Sequence, residues 1–277
     1  MKTLYISDLD GTLLDKQAEV TAYTANALNA LIARGVSFSV ASARTSETAV
    51  QILKNVNLSI PLILMNGVCV FDPIAQKFID VKYIPIPSVN NLLSVLNKHH
   101  QTGFLYGLAD HKIDTYYENL DSPQRRTFYE ERVNKYYKRF TKVSSFGEAA
   151  EKNIIYFSFC EKQGLVAPLY NELKNDTDIR IEYYRDIYIE DFWYLEVCAK
   201  SASKFDAVEQ LRRAYGFDQI VGFGDNLNDL PLFAACDESY AVANAKPEVK
   251  EKATAVIGSN DSDGVAKWLI QNAKTEG

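Results

Sequence analysis

Cysteine, histidine and long apolar runs are all scarce in this 277-residue chain. Its 4 cysteines, Cys69, Cys160, Cys198 and Cys236, stand far apart, mostly within apolar stretches and without a C-x-x-C pair. That spacing predicts buried, reduced thiols rather than a disulfide framework or a structural zinc site. The 3 histidines, His99, His100 and His111, all fall in the middle of the chain, and His99-His100 reads as a solvated pair at a helix end. No apolar run approaches the roughly 20 residues of a membrane span. Positive charge is in deficit, with 30 Lys+Arg against 36 Asp+Glu and a net charge of −6. A nucleic-acid partner, which usually leaves a basic footprint, is therefore not expected. The N-terminus shows no cationic stretch followed by a long apolar one, and a cytoplasmic protein is the expectation.

What is present has a regular grammar at both ends. Residues 2–7 ("KTLYIS"), 36–41 and 60–65 read as short strands, separated by helical patterns that include Ala27, Leu28, Leu31 and Ile32. Thr21 suits the N-cap of that first helix, and Gly35 its stop. Strands at 219–223, 239–243 and 254–257 follow a helix over 203–216, for which Ser203 and Asp206 suggest a capping box, and Pro247 suits a first helical turn. Alternating strands and helices predict a parallel sheet, Rossmann-like, with helices on both faces. The middle of the chain differs. Residues 83–192 hold most of the 17 tyrosines, and their strand patterns lack βα alternation. The expected organisation is an α/β core from 1–82 and 193–277, with an α+β domain inserted at 83–192.

The polar residues concentrate just after the core strands. Asp8-Leu9-Asp10-Gly11-Thr12 follows the first, Ser42-Ala43-Arg44 the second, Asn66-Gly67 the third, and Asp225-Asn226-Leu227-Asn228-Asp229 follows 219–223. Ligands of open α/β sheets bind outside the carboxyl ends of the strands, which is the edge all these clusters share. If the chain stays extended past residue 7, Asp8 and Asp10 point the same way and share a site with Asp225 and Asp229. Unneutralised, such carboxylates repel and raise one another's pKa. Mg²⁺, which takes oxygen ligands and a substrate phosphate, removes the conflict, and a site without His or Cys does not suit zinc. A phosphate then needs donors: the Ser42 hydroxyl and the backbone N–H groups around Gly11 are available. Lys204 places an ammonium in the first turn of a capped helix, against the macrodipole, which points to a task for it.

These motifs ("DLDGT", "SVASAR", "LMNG", "SASK", "GDNLND", then "VANAKPEVKEKA" and "NDSDGVAKWL") resemble the haloacid dehalogenase superfamily of phosphohydrolases, and within it the Cof-type sugar-phosphatase group. The resemblance spans the chain outside its middle segment. It implies that Asp8 is a nucleophile forming an aspartyl-phosphate, and that Asp10 protonates the leaving alcohol and then activates water. It implies Mg²⁺ held by the Asp8 carboxylate, the Asp10 backbone carbonyl and Asp225, with Asp229 and Asn228 in support. Ser42 and Lys204 would bind the phosphoryl oxygens, Thr12 would support the loop, and Arg44 and Asn66 would contact the substrate near its leaving group. The inserted domain corresponds to a cap that closes over the site and reads the leaving group. Where the family often has Thr-Gly-Arg this chain has Ser42-Ala43-Arg44, which keeps the hydroxyl.

The expected activity is Mg²⁺-dependent hydrolysis of small phosphate monoesters, sugar phosphates foremost, by a monomer or weak homo-oligomer with no membrane partner. Two rivals use related residues. A phosphomutase or phosphotransferase would pass the phosphoryl group to a sugar hydroxyl. A receiver-type signalling domain would hold it on Asp8, but is about half this length and needs no Asp10.

Overall fold

A computed structural model describes residues 1–109, 112–136, 138–186, 189 and 191–274. Along the chain, β1 (Thr3–Ser7), α1 (Ala22–Ala33), β2 (Ser37–Val40), α2 (Ser46–Ile52), β3 (Leu62–Leu64), β4 (Cys69–Asp72) and β5 (Lys77–Val81) come first. There follow α3 (Ile86–Lys98), β6 (Phe104–Ala109), β7 (Lys112–Tyr117), α4 (Pro123–Tyr136), β8 (Phe140–Lys142), β9 (Ile154–Lys162), α5 (Gln163–Leu173), β10 (Ile179–Arg185) and β11 (Phe192–Ala199). The chain closes with α6 (Lys204–Tyr215), β12 (Gln219–Gly224), α7 (Leu230–Ala235), β13 (Glu238–Val242), α8 (Pro247–Lys250), β14 (Ala255–Ile257) and α9 (Gly264–Asn272). These elements fall into two compact units, Met1–Asp80 with Ser203–Gly277, and Val81–Ala202.

The first unit is built on an all-parallel sheet in the order β14-β13-β12-β1-β2. β1 lies inside it, between β12 and β2, and every one of its residues is buried, as expected of a strand covered on both faces. Helices α1 and α9 pack together, as do α6 and α7, giving the two covering layers. Trp268 of α9 lies against the rings of Tyr5, Phe223 and Tyr240, so one aromatic cluster fastens that helix across three strands. The Thr21 side chain accepts from the Thr24 backbone N–H, and Ser203 does the same for Asp206, so both expected helix starts are capped. Pro247 opens α8.

The third strand departs from the sequence expectation. β3 joins the parallel sheet only through a single bridge between Ala41 and Ile63. Its other edge begins a separate antiparallel sheet, β3-β4-β5, with Leu62 opposite Phe71 and Leu64 opposite Cys69. The hairpin leaves little alternation to read, because Cys69, Val70 and Phe71 are all buried.

The second unit carries a six-stranded sheet in the order β10-β11-β9-β6-β7-β8, antiparallel except for β7 with β8. Its core includes Leu105, Phe157, Phe159, Leu195 and Val197, with Val89, Leu92 and Leu96 from α3 and Val166, Leu169 and Leu173 from α5. The unit extends to Ala202, beyond the expected 192, because β11 pairs with both β9 and β10 inside this sheet. His99 bonds the Glu172 carboxylate at 2.6 Å rather than standing as part of a solvated pair, and His100 is exposed; His111 lies outside the described residues. All four cysteines are free. No helix among the described residues is long and apolar enough to cross a membrane.

Candidate active site

The parallel register carries the polar segments to one place. The Asp8 N–H donates to the Phe223 carbonyl at 2.9 Å, so the ends of β1 and β12 stay paired, and the Ala41 N–H donates to the Ser7 carbonyl at 2.9 Å. Asp8, Ser42 and Asp225 therefore leave adjacent strands at the same carboxyl edge. Lys204, at the first position of α6, reaches in from a neighbouring helix. Its Nζ donates to Asp8 Oδ1 and to Asp229 Oδ1, each at 2.7 Å. Its side chain is 1% exposed and that of Asp229 is 0% exposed, so this is an interior ion triad rather than a surface pair.

Asp229 is held by both its oxygens. Oδ2 accepts the backbone N–H groups of Asp225 and Asn226 at 2.9 and 3.0 Å, closing a capping box whose other half is the Asn226 side chain. This explains an asparagine at 226. Thr12 Oγ1 donates to Asp225 Oδ1 at 3.2 Å, and the Lys246 N–H donates to the Asp225 carbonyl at 2.9 Å. Carboxylate oxygens of Asp8, Asp225 and Asp229 all lie within 4.8 Å of one another.

Asp10 stands outside this trio, yet near enough that its charge helps to raise the Asp225 pKa. The chain does not stay extended past β1: Leu9–Leu13 forms an irregular helical turn, with Gly11 at φ 75°. Within this turn the Asp10 carboxylate is gripped by Arg44. Arg44 Nε donates to Asp10 Oδ2 at 2.7 Å and Nη2 to Oδ1 at 2.6 Å, a bidentate pair. Three carboxylates rather than four make the inner cluster. The turn needs glycine at 11 twice over, since a Cβ there would stand 2.5 Å from Asp225 Oδ2 and L-residues rarely adopt this φ.

Ser42 is 1% exposed, and its Oγ accepts the Arg44 N–H at 3.2 Å, which leaves the hydroxyl hydrogen to donate. The Asn66 N–H donates to the Ser42 carbonyl at 3.0 Å, and the Met65 N–H to the Arg44 carbonyl at 3.1 Å. Asn66 itself adopts φ 56°, and its Oδ1 accepts from Asn228 Nδ2 at 3.3 Å. The residues expected to surround a substrate thus form one connected network. Sequence reasoning gave no role to Asn244 or Asn260, which brace the loop from behind. Asn244 Nδ2 donates to the Gly11 carbonyl at 2.7 Å, Asn260 N–H to Asn244 Oδ1 at 3.0 Å, and Asn260 Nδ2 to the Leu14 carbonyl at 2.8 Å. Both lie in the late motifs "VANAKPEVKEKA" and "NDSDGVAKWL", which were the available signal.

The electrostatics identify what the cluster lacks. Burial and the Asp229 charge raise the Asp8 pKa well above the ordinary carboxylate range, despite Lys204. Burial, with Asp229, pushes Asp225 up to about 6. Burial opposes the Lys204 ammonium, but Asp229 and Asp8 outweigh it and hold its pKa up. Three carboxylates around one ammonium are under-neutralised, and one divalent cation would restore balance. The donors are all carboxylate oxygens, which suits a hard ion such as Mg²⁺ and not zinc.

With this geometry in place, the relationships to known proteins agree. Residues 5–269 match the model of the haloacid dehalogenase-like hydrolase family. The chain belongs to that family. It is 25% identical over 279 residues to the pyridoxal phosphate phosphatase YbhA of Escherichia coli, covering 96% of each chain. It is also 25% identical to the 5-amino-6-(5-phospho-D-ribitylamino)uracil phosphatase YwtE of Bacillus subtilis, covering 98% of each. Its fold matches the crystal structure of a haloacid dehalogenase-like hydrolase from Bacteroides thetaiotaomicron with a TM-score of 0.82 at 20% identity, over 98% of this chain and 99% of that one.

Proposed function

We propose that this protein is a Mg²⁺-dependent phosphomonoesterase acting on small phosphorylated metabolites, sugar phosphates foremost, through an aspartyl-phosphate on Asp8. The observation that carries the reading is the buried Asp8–Lys204–Asp229 triad with Asp225 beside it. A carboxylate nucleophile, a fixed ammonium and an under-neutralised oxygen cage are the parts that phosphoryl transfer requires. The two named phosphatase relatives, each matching nearly the whole chain, support a small phosphate ester as substrate.

In the first step an Asp8 carboxylate oxygen attacks phosphorus, the bond from phosphorus to the alcohol oxygen breaks, and Asp10 supplies the proton that the leaving alcohol takes. In the second, water attacks the same phosphorus, Asp10 accepts its proton, and the Asp8–phosphorus bond breaks to release inorganic phosphate. Lys204 and the Ser42 hydroxyl donate to the phosphoryl oxygens, whose charge is greatest in the transition state. Backbone N–H groups around Gly11 add donors without adding charge. Asp8, Asp225 and the Asp10 carbonyl would hold Mg²⁺, supported by Asp229 and Asn228. When bound, the ion supplies the positive charge that lets an anionic phosphate approach an anionic carboxylate. The second unit, Val81–Ala202, is proposed as the cap that discriminates among leaving groups.

The test is phosphate release from a panel of hexose, pentose and triose phosphates, nucleotides and pyridoxal phosphate, with Mg²⁺ and with chelator. Metal-dependent release, lost in Asp8→Asn and in Asp10→Asn proteins that remain folded, is the expected result. Wild-type turnover in either variant overturns the assigned mechanism. Transfer of phosphate to a second sugar without release would favour the phosphotransferase reading.

A further inference from the structure

The Asp10 carboxylate is half exposed, yet both of its oxygens are taken by one guanidinium. A half-exposed aspartate on a turn would otherwise exchange among staggered rotamers. Arg44, in contrast, is anchored at its base. Its N–H is held by Ser42 Oγ at 3.2 Å and its carbonyl by the Met65 N–H at 3.1 Å, and its side chain is only 17% exposed. The Ser42 and Met65 segments leave the strand edge beside β1, so the arginine is referenced to the same sheet that carries Asp8. A planar, two-point contact from a fixed base sets both the direction and the rotation of the carboxylate, which a lysine's point charge could not do.

We propose that Arg44 is the positioning residue of Asp10: it acts through that carboxylate, not by binding substrate, and aims it for proton transfer at the scissile oxygen. The inference rests on the phosphomonoesterase reading above. It assigns Arg44 a job distinct from the leaving-group contact expected from sequence. Orientation matters most where a proton must be delivered during bond cleavage. An alkyl phosphate has a leaving oxygen that needs that proton, whereas p-nitrophenyl phosphate has one that departs without it.

The experiment compares leaving-group release in a single turnover, and KM, for an alkyl phosphate that the wild type hydrolyses and for p-nitrophenyl phosphate, both with Mg²⁺ supplied. The proteins are wild type, R44A, R44K, D10N and the double variant D10N/R44A, each checked for an unchanged thermal midpoint. R44A is expected to slow single-turnover release of the alkyl alcohol by about tenfold or more, within the range general acid–base catalysis supplies, with KM unchanged and burst-phase release of p-nitrophenol little affected. R44K should recover only part of the loss, because it restores charge without the two-point grip. On the D10N background, R44A should have no further effect on the residual single-turnover release of the alkyl alcohol, since its partner is already changed. Equal losses on both esters, a raised KM with unchanged single-turnover release, full recovery by R44K, or additive effects with D10N would each overturn the proposal. Failure of the wild type to release phosphate from any ester would instead remove the phosphatase reading, and this inference with it.

Discussion

Lys204 and Asp229 form a buried ion pair at 2.7 Å in which neither side chain is more than 1% exposed. The carboxylate also accepts two backbone N–H groups from the Asp225–Asn226 turn, so one residue fixes both the lysine and the loop that carries Asp225. A charge pair this dry persists because each partner is fully bonded, and removing one leaves the other stranded.

Asp229→Ala is accordingly expected to destabilise the protein by about 3–5 kcal/mol, the usual consequence of orphaning a buried charge. Urea unfolding followed by circular dichroism measures it. A change below about 1 kcal/mol would mean that Lys204 is neutralised by Asp8 alone and the turn by solvent.

Metal binding should depend on pH through Asp225. Its pKa is pushed up to about 6, so the proton and the metal compete for it below that value. The sign for the metal-free protein follows from the same shift. A carboxyl whose folded pKa is raised favours the folded state at low pH, and that contribution is lost as pH rises from about 4 through about 6. Asp8, raised in the same direction by burial and the Asp229 charge, adds to this loss. Added Mg²⁺ should therefore raise the thermal midpoint strongly at pH 8 and little at pH 5, and calorimetry should show proton release on binding between them. An equal Mg²⁺ shift at both pH values would contradict the assignment of Asp225 as a ligand.

Gly67 packs closely against the backbone at Ser203. A Cβ there would lie 2.1 Å from the Ser203 carbonyl oxygen, and the residue adopts φ 94°. Gly67→Ala must displace either the Met65–Gly67 turn or the start of α6, and Lys204 with it. A loss of about 3 kcal/mol in stability is expected, combining backbone strain with the clash. Near-wild-type unfolding together with normal turnover would show that the two segments separate freely.

Much of the site was legible because its residues follow strands. Asp8, Ser42 and Asp225 are each the first or second residue after a run that could only be a buried strand, and parallel pairing delivers such positions to one edge. The Ser203 cap placed Lys204 at the start of a helix for the same local reason. Less legible were features that depend on the chain bending. The Leu9–Leu13 turn, and the two-point grip of Arg44 on the Asp10 carboxylate within it, follow no strand period. The β4–β5 hairpin, mostly buried on its first strand, carried no polar alternation to mark it.

The sequence by itself determined the alternation of strands and helices, the carboxyl-edge placement of the polar motifs and the oxygen-only chemistry of the cluster. These follow from side-chain period, capping and residue type, all of which act within a few positions. Only the tertiary structure decided that Lys204 bridges Asp8 to Asp229, that Asp10 belongs to Arg44, and that β11 completes the second unit's sheet. Those pairings join residues 25 to 196 positions apart, and no local preference encodes them. Burial decides them, because a charge removed from water must find its partner wherever the packed chain has brought one.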